Sequence, residues 1–177
     1  MWYYNSDHPL RRLFAGVTEQ TFVSELGVAD PNLIDYLSLM LSRFIHMDSL
    51  HRLRSSQGKQ LTEVVEMVFE AESLPPEGRT RREYHKHIGD FTLFWTGAFA
   101  EGTKRLQDRF SADNLVDYTA QGKRSYYIAS TFDEDEHRDE SQVLRRLSEE
   151  FELCAYGLKQ VHMELQKTHS ENEPSVE

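Results

Sequence analysis

A chain of 177 residues with a formal net charge of −10 and one cysteine is of single-domain size, and a domain of that length buries roughly two-thirds of its unfolded surface. The charge argues against a phosphate backbone as partner, because nucleic-acid binding draws on clustered Lys and Arg, and the basic runs Arg79-Thr80-Arg81-Arg82 and Arg145-Arg146 are short and sit beside acids. A lone Cys154 leaves no internal disulfide and no multi-cysteine zinc site. The opening Met1-Trp2-Tyr3-Tyr4-Asn5-Ser6-Asp7 lacks the basic and apolar regions of a signal peptide. Phe91 to Ala100 is about half the length that crosses a bilayer. A cytoplasmic protein without a membrane span is therefore expected.

Residues 1–17 read as an aromatic lead-in. Thr18 to Leu26 then makes a short helix closed by Gly27. Asp30-Pro31 opens the next, because Asp is a good N-cap and Pro costs nothing at the first helical position. Leu33, Leu37, Met40, Phe44 and Met47 follow at spacings of three and four, one apolar stripe as far as about His51. A turn at Ser55-Ser56-Gln57-Gly58 leads to a helix with Leu61, Val64, Val65 and Val68 inward, and the prolines of Ser73-Leu74-Pro75-Pro76-Glu77-Gly78 end it. A central helix runs from near Thr80 to Ala100 with Gly89 and Gly97 inside it. Each glycine costs roughly 1 kcal/mol against alanine, so the pair points to close approach by a neighbouring helix.

Ser111 or Asp113 caps the next helix, whose inner face is Leu115, Tyr118, Gly122, Tyr126 and Ala129. The acidic run Thr131 to His137 reads as a solvated connection. Leu144, Leu147, Phe151, Cys154, Leu158, Val161 and Leu165 then alternate by three and four, the spacing of one long packed helix. Residues 168–177 read as a disordered acidic tail. The expectation is all-α: a single helical domain over 18–167, an antiparallel bundle of about five to six helices.

The chemistry-bearing residues are few. Glu83, His87, Asp90, Phe94, Gly97 and Glu101 share one stripe of the central helix. Glu83, His87 and Asp90 could therefore converge on an iron, manganese or zinc ion, with Glu63, Glu66 or Glu150 from neighbouring helices. This stripe lacks the Glu-x-x-His pairs of di-iron bundles, and the preferred reading is that His87 and Asp90 are a satisfied polar pair that fixes helix packing. Tyr118, Tyr126 and Tyr127 with Lys123 and Arg124 could form an anion pocket, or a helix with an aromatic inner face and a basic outer one. His46, His51, His85, His137, His162 and His169 are scattered. Cys154 falls on an apolar stripe, where it is a small hydrophobe rather than a nucleophile. Neither glycine-rich nucleotide-loop pattern occurs. No catalytic residue and no cofactor is indicated.

The segments His87-Ile88-Gly89-Asp90-Phe91-Thr92-Leu93-Phe94-Trp95-Thr96-Gly97-Ala98-Phe99 and Asp117-Tyr118-Thr119-Ala120-Gln121-Gly122-Lys123-Arg124-Ser125-Tyr126 resemble a family of small, all-helical bacterial cytosolic proteins to which no activity is assigned. The resemblance covers roughly Leu33 to Leu165. It implies one helical domain and marks Asp90, Gly97, Tyr118 and Gly122 as positions of interest. Two functions stay open. One is a non-enzymatic protein-interaction or scaffold module, a homodimer included, using the Leu144 to Leu165 helix or Trp2-Tyr3-Tyr4 as contact. The other is a metal- or small-ligand-binding bundle, an oxidoreductase or hydrolase, built on the His/Asp/Glu stripe.

Overall fold

The computed structural model describes residues 9–44, 51–100 and 112–171. These form one helical bundle: α1 (Pro9–Glu19), α2 (Pro31–Phe44), α3 (Val64–Ser73), α4 (Arg79–Thr96), α5 (Tyr118–Ser130), α6 (Arg138–Glu149) and α7 (Phe151–Glu171). Among the described residues there is no strand, only an antiparallel bridge between Arg54 and Gln60 that flanks the turn at Gly58 (φ +82°).

Among the described residues seven α-helices stand where five to six were expected, for two reasons. The lead-in is helical from Pro9, which takes a first-turn position where its missing N–H costs nothing. α1 continues through a π-helical turn, Gln20–Glu25, that ends before Gly27 at φ +69°. The stripe from Leu144 to Leu165 is divided between α6 and α7. At Glu150 the backbone leaves the helical region (φ −111°, ψ 31°), so the chain bends between Leu147 and Phe151 and both stay buried. α7 also runs to Glu171, four residues into the expected tail.

Side-chain carboxylates cap the starts of α2, α3 and α5. Asp30 Oδ1 accepts from the N–H groups of Asn32 and Leu33, opening α2 as expected. The cap assigned to Ser111 or Asp113 belongs instead to Asp117, whose carboxylate accepts from Ala120 N–H at the start of α5; Ser111 lies outside the described residues. Asp113 caps a different helix. Its carboxylate accepts from Val64 and Val65 N–H, 2.8 and 2.9 Å, and from the Tyr118 hydroxyl, 2.6 Å, tying α5 to the first turn of α3.

α4 is the axis of the bundle and packs most extensively on α5, which in turn packs on α6. It ends at Thr96, not Ala100, and Gly97 is its C-cap. Both glycines mark close approaches. A Cβ on Gly89 would lie 2.6 Å from the Tyr126 ring of α5, and one on Gly97 would lie 2.8 Å from the Ala155 carbonyl oxygen of α7. Around α4 the core is continuous, from Phe22, Leu33, Leu37 and Met40 through Met67, Ile88, Phe91 and Leu93 to Phe151 and Leu158. Each such side chain contributes roughly 1.5–3 kcal/mol on burial. Val65, expected inward, is 40% exposed and Met67 takes the core position. Leu115, expected on the inner face of α5, is 94% exposed on a short 3₁₀ turn before it.

Candidate functional site

Asp90 is buried at the middle of α4. A carboxylate there needs partners to offset its desolvation, and three neighbours supply them. The hydroxyls of Tyr36 on α2 and Tyr126 on α5 both donate to Oδ1, at 2.6 and 2.7 Å. Arg43, one more turn-pair along α2, reaches Oδ2 at 3.4 Å. Burial and then the Asp90 charge hold both tyrosines well above the ordinary phenol range, so each stays a donor. Burial would lower the Arg43 guanidinium, but Asp90, together with Tyr36, Tyr126 and Glu140, brings the net direction up.

A second ionic cluster continues along the same side of α4. Glu140 of α6 accepts from Arg82 and, at 2.7 Å, from Lys86. Lys86 also lies over the Tyr36 ring, 5.6 Å from its centroid. Burial pushes the Glu140 carboxyl up, yet Arg82 and Lys86 bring it below its usual range. Four helices, α2, α4, α5 and α6, are thus cross-linked through polar side chains of α4.

The three residues suggested as metal ligands each have other partners. Glu83 pairs with Arg82 at 2.6 Å and with Arg52 at 3.9 Å. His87 Nδ1 accepts from Arg52 Nε at 3.2 Å. Of the proposed extra carboxylates, Glu63 accepts from Ala112 N–H, Glu66 pairs with Lys59 and Glu150 with Arg146. Among the described residues no group of three or more His, Cys, Asp or Glu is disposed to hold a metal ion. Glu101 lies outside the described residues.

The suggested anion-binding residues point in different directions from α5. Tyr126 faces Asp90, Tyr118 faces Asp113, Lys123 pairs with Glu152 on the surface at 2.9 Å, and Arg124 stands 3.7 Å from Glu72. They do not share a pocket. Cys154 is buried, and burial pushes its thiol up to about 12, in keeping with an unreactive core residue.

The surface offers a different feature. Val64, Val65, Val68, Phe69 and Val116 line a shallow concavity of about 360 Å³ between α3 and α5, with Glu72 and Gln121 also in its lining. Phe69 on its rim is 73% exposed, and Leu115 stands next to Val116. The apolar stripe of α6 and α7, by contrast, is used inside the bundle: Leu144, Leu147, Phe151, Leu158 and Val161 are all buried, so it is not a contact surface. Trp2-Tyr3-Tyr4 lies outside the described residues.

Beneath Glu72 is a buried polar set. Gln121 Nε2 donates to Ser125 Oγ at 3.0 Å, and Ser125 Oγ lies 3.2 Å from His85 Nδ1. Nδ1 meets the serine hydroxyl, which leaves Nε2 on the side of Glu72. That atom is buried without a hydrogen-bond partner among the described residues, 3.7 Å from Glu72 Oε1. Burial, then the positive charge of Arg81, lowers the imidazole to about 4, so it is neutral near pH 7.

Sequence reasoning missed Tyr36, Arg43, Phe69, Glu72, His85 and Ser125. Tyr36 and Arg43 are seven apart, two turns of one helix, and that spacing was available as a signal. Val65 and Phe69, four apart, form a second apolar stripe on α3. No family model, no curated protein and no solved structure matches the chain. Among the described residues no helix is long and apolar enough to cross a membrane.

Proposed function

We propose that the protein is a non-enzymatic interaction module whose contact face is the α3–α5 concavity, with Phe69 in its lining and the exposed Leu115 one residue before Val116. The carrying observation is the exposure of these two side chains, 73% and 94%, the highest of the large apolar residues among those described, near an apolar concavity. Contiguous exposed apolar surface of this kind marks contact sites, and exposed aromatics are favoured in interface centres. The Asp90 lock supports the same reading: its polar groups are committed to one another, which makes α4 a rigid spine for the face. A bacterial cytosolic setting is taken from the family resemblance, and the partner is a protein, either another chain or a second copy.

The test is site-specific photocrosslinking in cells that natively carry the protein. A photoreactive residue at position 69 or 115 is expected to give one discrete protein adduct, and one at Glu152, on the opposite side of α5, none. Sedimentation of the purified chain then tells self from other. Absence of any adduct at 69 and 115, together with a monomer in solution, would refute the reading.

A further inference from the structure

The 3₁₀ turn Ala112–Leu115 presents an apolar knob next to an apolar hole. Leu115 is 94% exposed and is not in the lining of the α3–α5 concavity, whereas Val116, the next residue, is. An exposed leucine on a loose turn would say little, but this turn is anchored. Asp113 is buried, and its carboxylate accepts from Val64 and Val65 N–H in the first turn of α3 and from the Tyr118 hydroxyl of α5. Ala112 N–H donates to Glu63 Oε1 at 3.2 Å. Val64 and Val65 are themselves walls of the concavity. Knob and hole are therefore held in fixed register, and a partner that takes the leucine need not order its turn first.

The chemistry of the lining narrows the occupant. Its one charged side chain, Glu72, is answered within the chain by Arg81 at 3.1 Å and by Arg124 at 3.7 Å, so the face calls for apolar contact rather than for an opposite charge. A chain of net charge −10 repels its own copy unless the touching surfaces are apolar or internally compensated, and this lining is both. One knob beside one hole is also self-complementary: a two-fold axis between them sets each knob on the other copy's hole. Resting on the interaction reading above, we propose that the occupant is a second copy of this chain. Leu115 of each copy enters the concavity of the other, against Val65, Val68, Phe69 and Val116. The volume of about 360 Å³ exceeds that of a leucine side chain. The apolar area is small beside that of permanent dimers, so the association is reversible.

Sedimentation equilibrium of the purified chain at low and high salt is the test. A monomer–dimer equilibrium is expected that tightens with salt, since the contact is apolar and screening relieves the repulsion between two copies of charge −10. Leu115→Asn removes the knob and keeps the hole. Val65→Phe, at a side chain 40% exposed, fills the hole and keeps the knob. Burying one leucine is worth about tenfold or more in affinity, so each variant, which loses both insertions, should associate about a hundredfold more weakly. Their equimolar mixture keeps one insertion and should recover about tenfold, an outcome that misfolding cannot produce. A photoreactive residue at position 115, in a mixture of light and isotope-labelled chains, should give light–heavy adducts within residues 64–69 or at 116. A strictly monomeric chain, open-ended assembly, an absence of light–heavy adducts, or no recovery from variants that circular dichroism shows to be folded overturns the proposal. A monomer that still gives one discrete adduct with a different protein in cells overturns the second copy alone and leaves the interaction reading standing.

Discussion

Tyr126→Phe and Asp90→Asn, singly and together, test whether Asp90 is a structural lock. Phe keeps the ring against Gly89 and leaves no cavity, so Tyr126→Phe removes one hydrogen bond to a charged acceptor, about 1.5–3 kcal/mol. Asn keeps the volume and an acceptor oxygen, but both tyrosine bonds drop to the neutral class. Two such losses, with little added for the half-exposed Arg43 at 3.4 Å, come to about 2–3 kcal/mol. In the Asn background the Tyr126 hydroxyl is worth only about 1 kcal/mol, so the double-mutant cycle should return a coupling of about 1–1.5 kcal/mol. For a chain of this size Asp90→Asn should lower Tm by roughly 5–10 °C. Urea unfolding followed by far-UV circular dichroism and by tryptophan fluorescence gives the four free energies. Additivity within about 0.3 kcal/mol would refute the shared-acceptor geometry.

Two glycines should respond in opposite directions. Gly97→Ala puts a methyl 2.8 Å from the Ala155 carbonyl, a backbone atom that cannot rotate away, and should cost about 1–3 kcal/mol; Gly16→Ala, in the exposed face of α1 with nothing within 4 Å of its Cβ, should stabilise by about 0.5–1 kcal/mol in the same urea assay. His85 predicts the acid limb. Its folded pKa of about 4 lies below the ordinary 6.5, so the unfolded chain binds the proton first. Its full share of stability is present above pH 6.5 and is lost as pH falls toward 4, at most about 3 kcal/mol. His51, also lowered by burial, acts in the same direction as pH falls below 6.5. His85→Gln should flatten, without abolishing, the slope of unfolding free energy between pH 4 and 6.5, and an unchanged slope would count against a buried neutral imidazole.

Periodicity made the helical class and most of the core legible, because a stripe such as Leu33, Leu37, Met40 and Phe44 has one physical reading and the bundle buries all four. It could not distinguish a continuous helix from two that share a stripe. The bend at Glu150 keeps the three-and-four spacing of buried residues intact, so α6 and α7 look like one. Gly97 was read as helix interior for a similar reason, since the same close approach to α7 serves a cap as well as a middle turn. Asp113 was assigned as cap to the helix that follows it, as local rules direct, whereas the backbone N–H groups it caps are 49 and 48 positions earlier. Asp90 was legible as a residue needing a partner, but Tyr36 and Tyr126 come from helices that only the tertiary fold brings to it. The Glu72 and His85 set was not legible, because its meaning lies in distances of 3.7 Å rather than in residue type.

The span of the Asp90 lock has a consequence for time as well as for stability. Its acceptor meets one hydroxyl from 54 positions earlier and another from 36 positions later. Contacts that close such long loops form after local helices and their first pairings. Interactions made after the transition state leave the rate of folding nearly untouched and act on the rate of escape from the native state. The two tyrosines therefore serve as a brake on unfolding. The bundle can assemble quickly from local helices and, once Asp90 has found both partners, let go slowly.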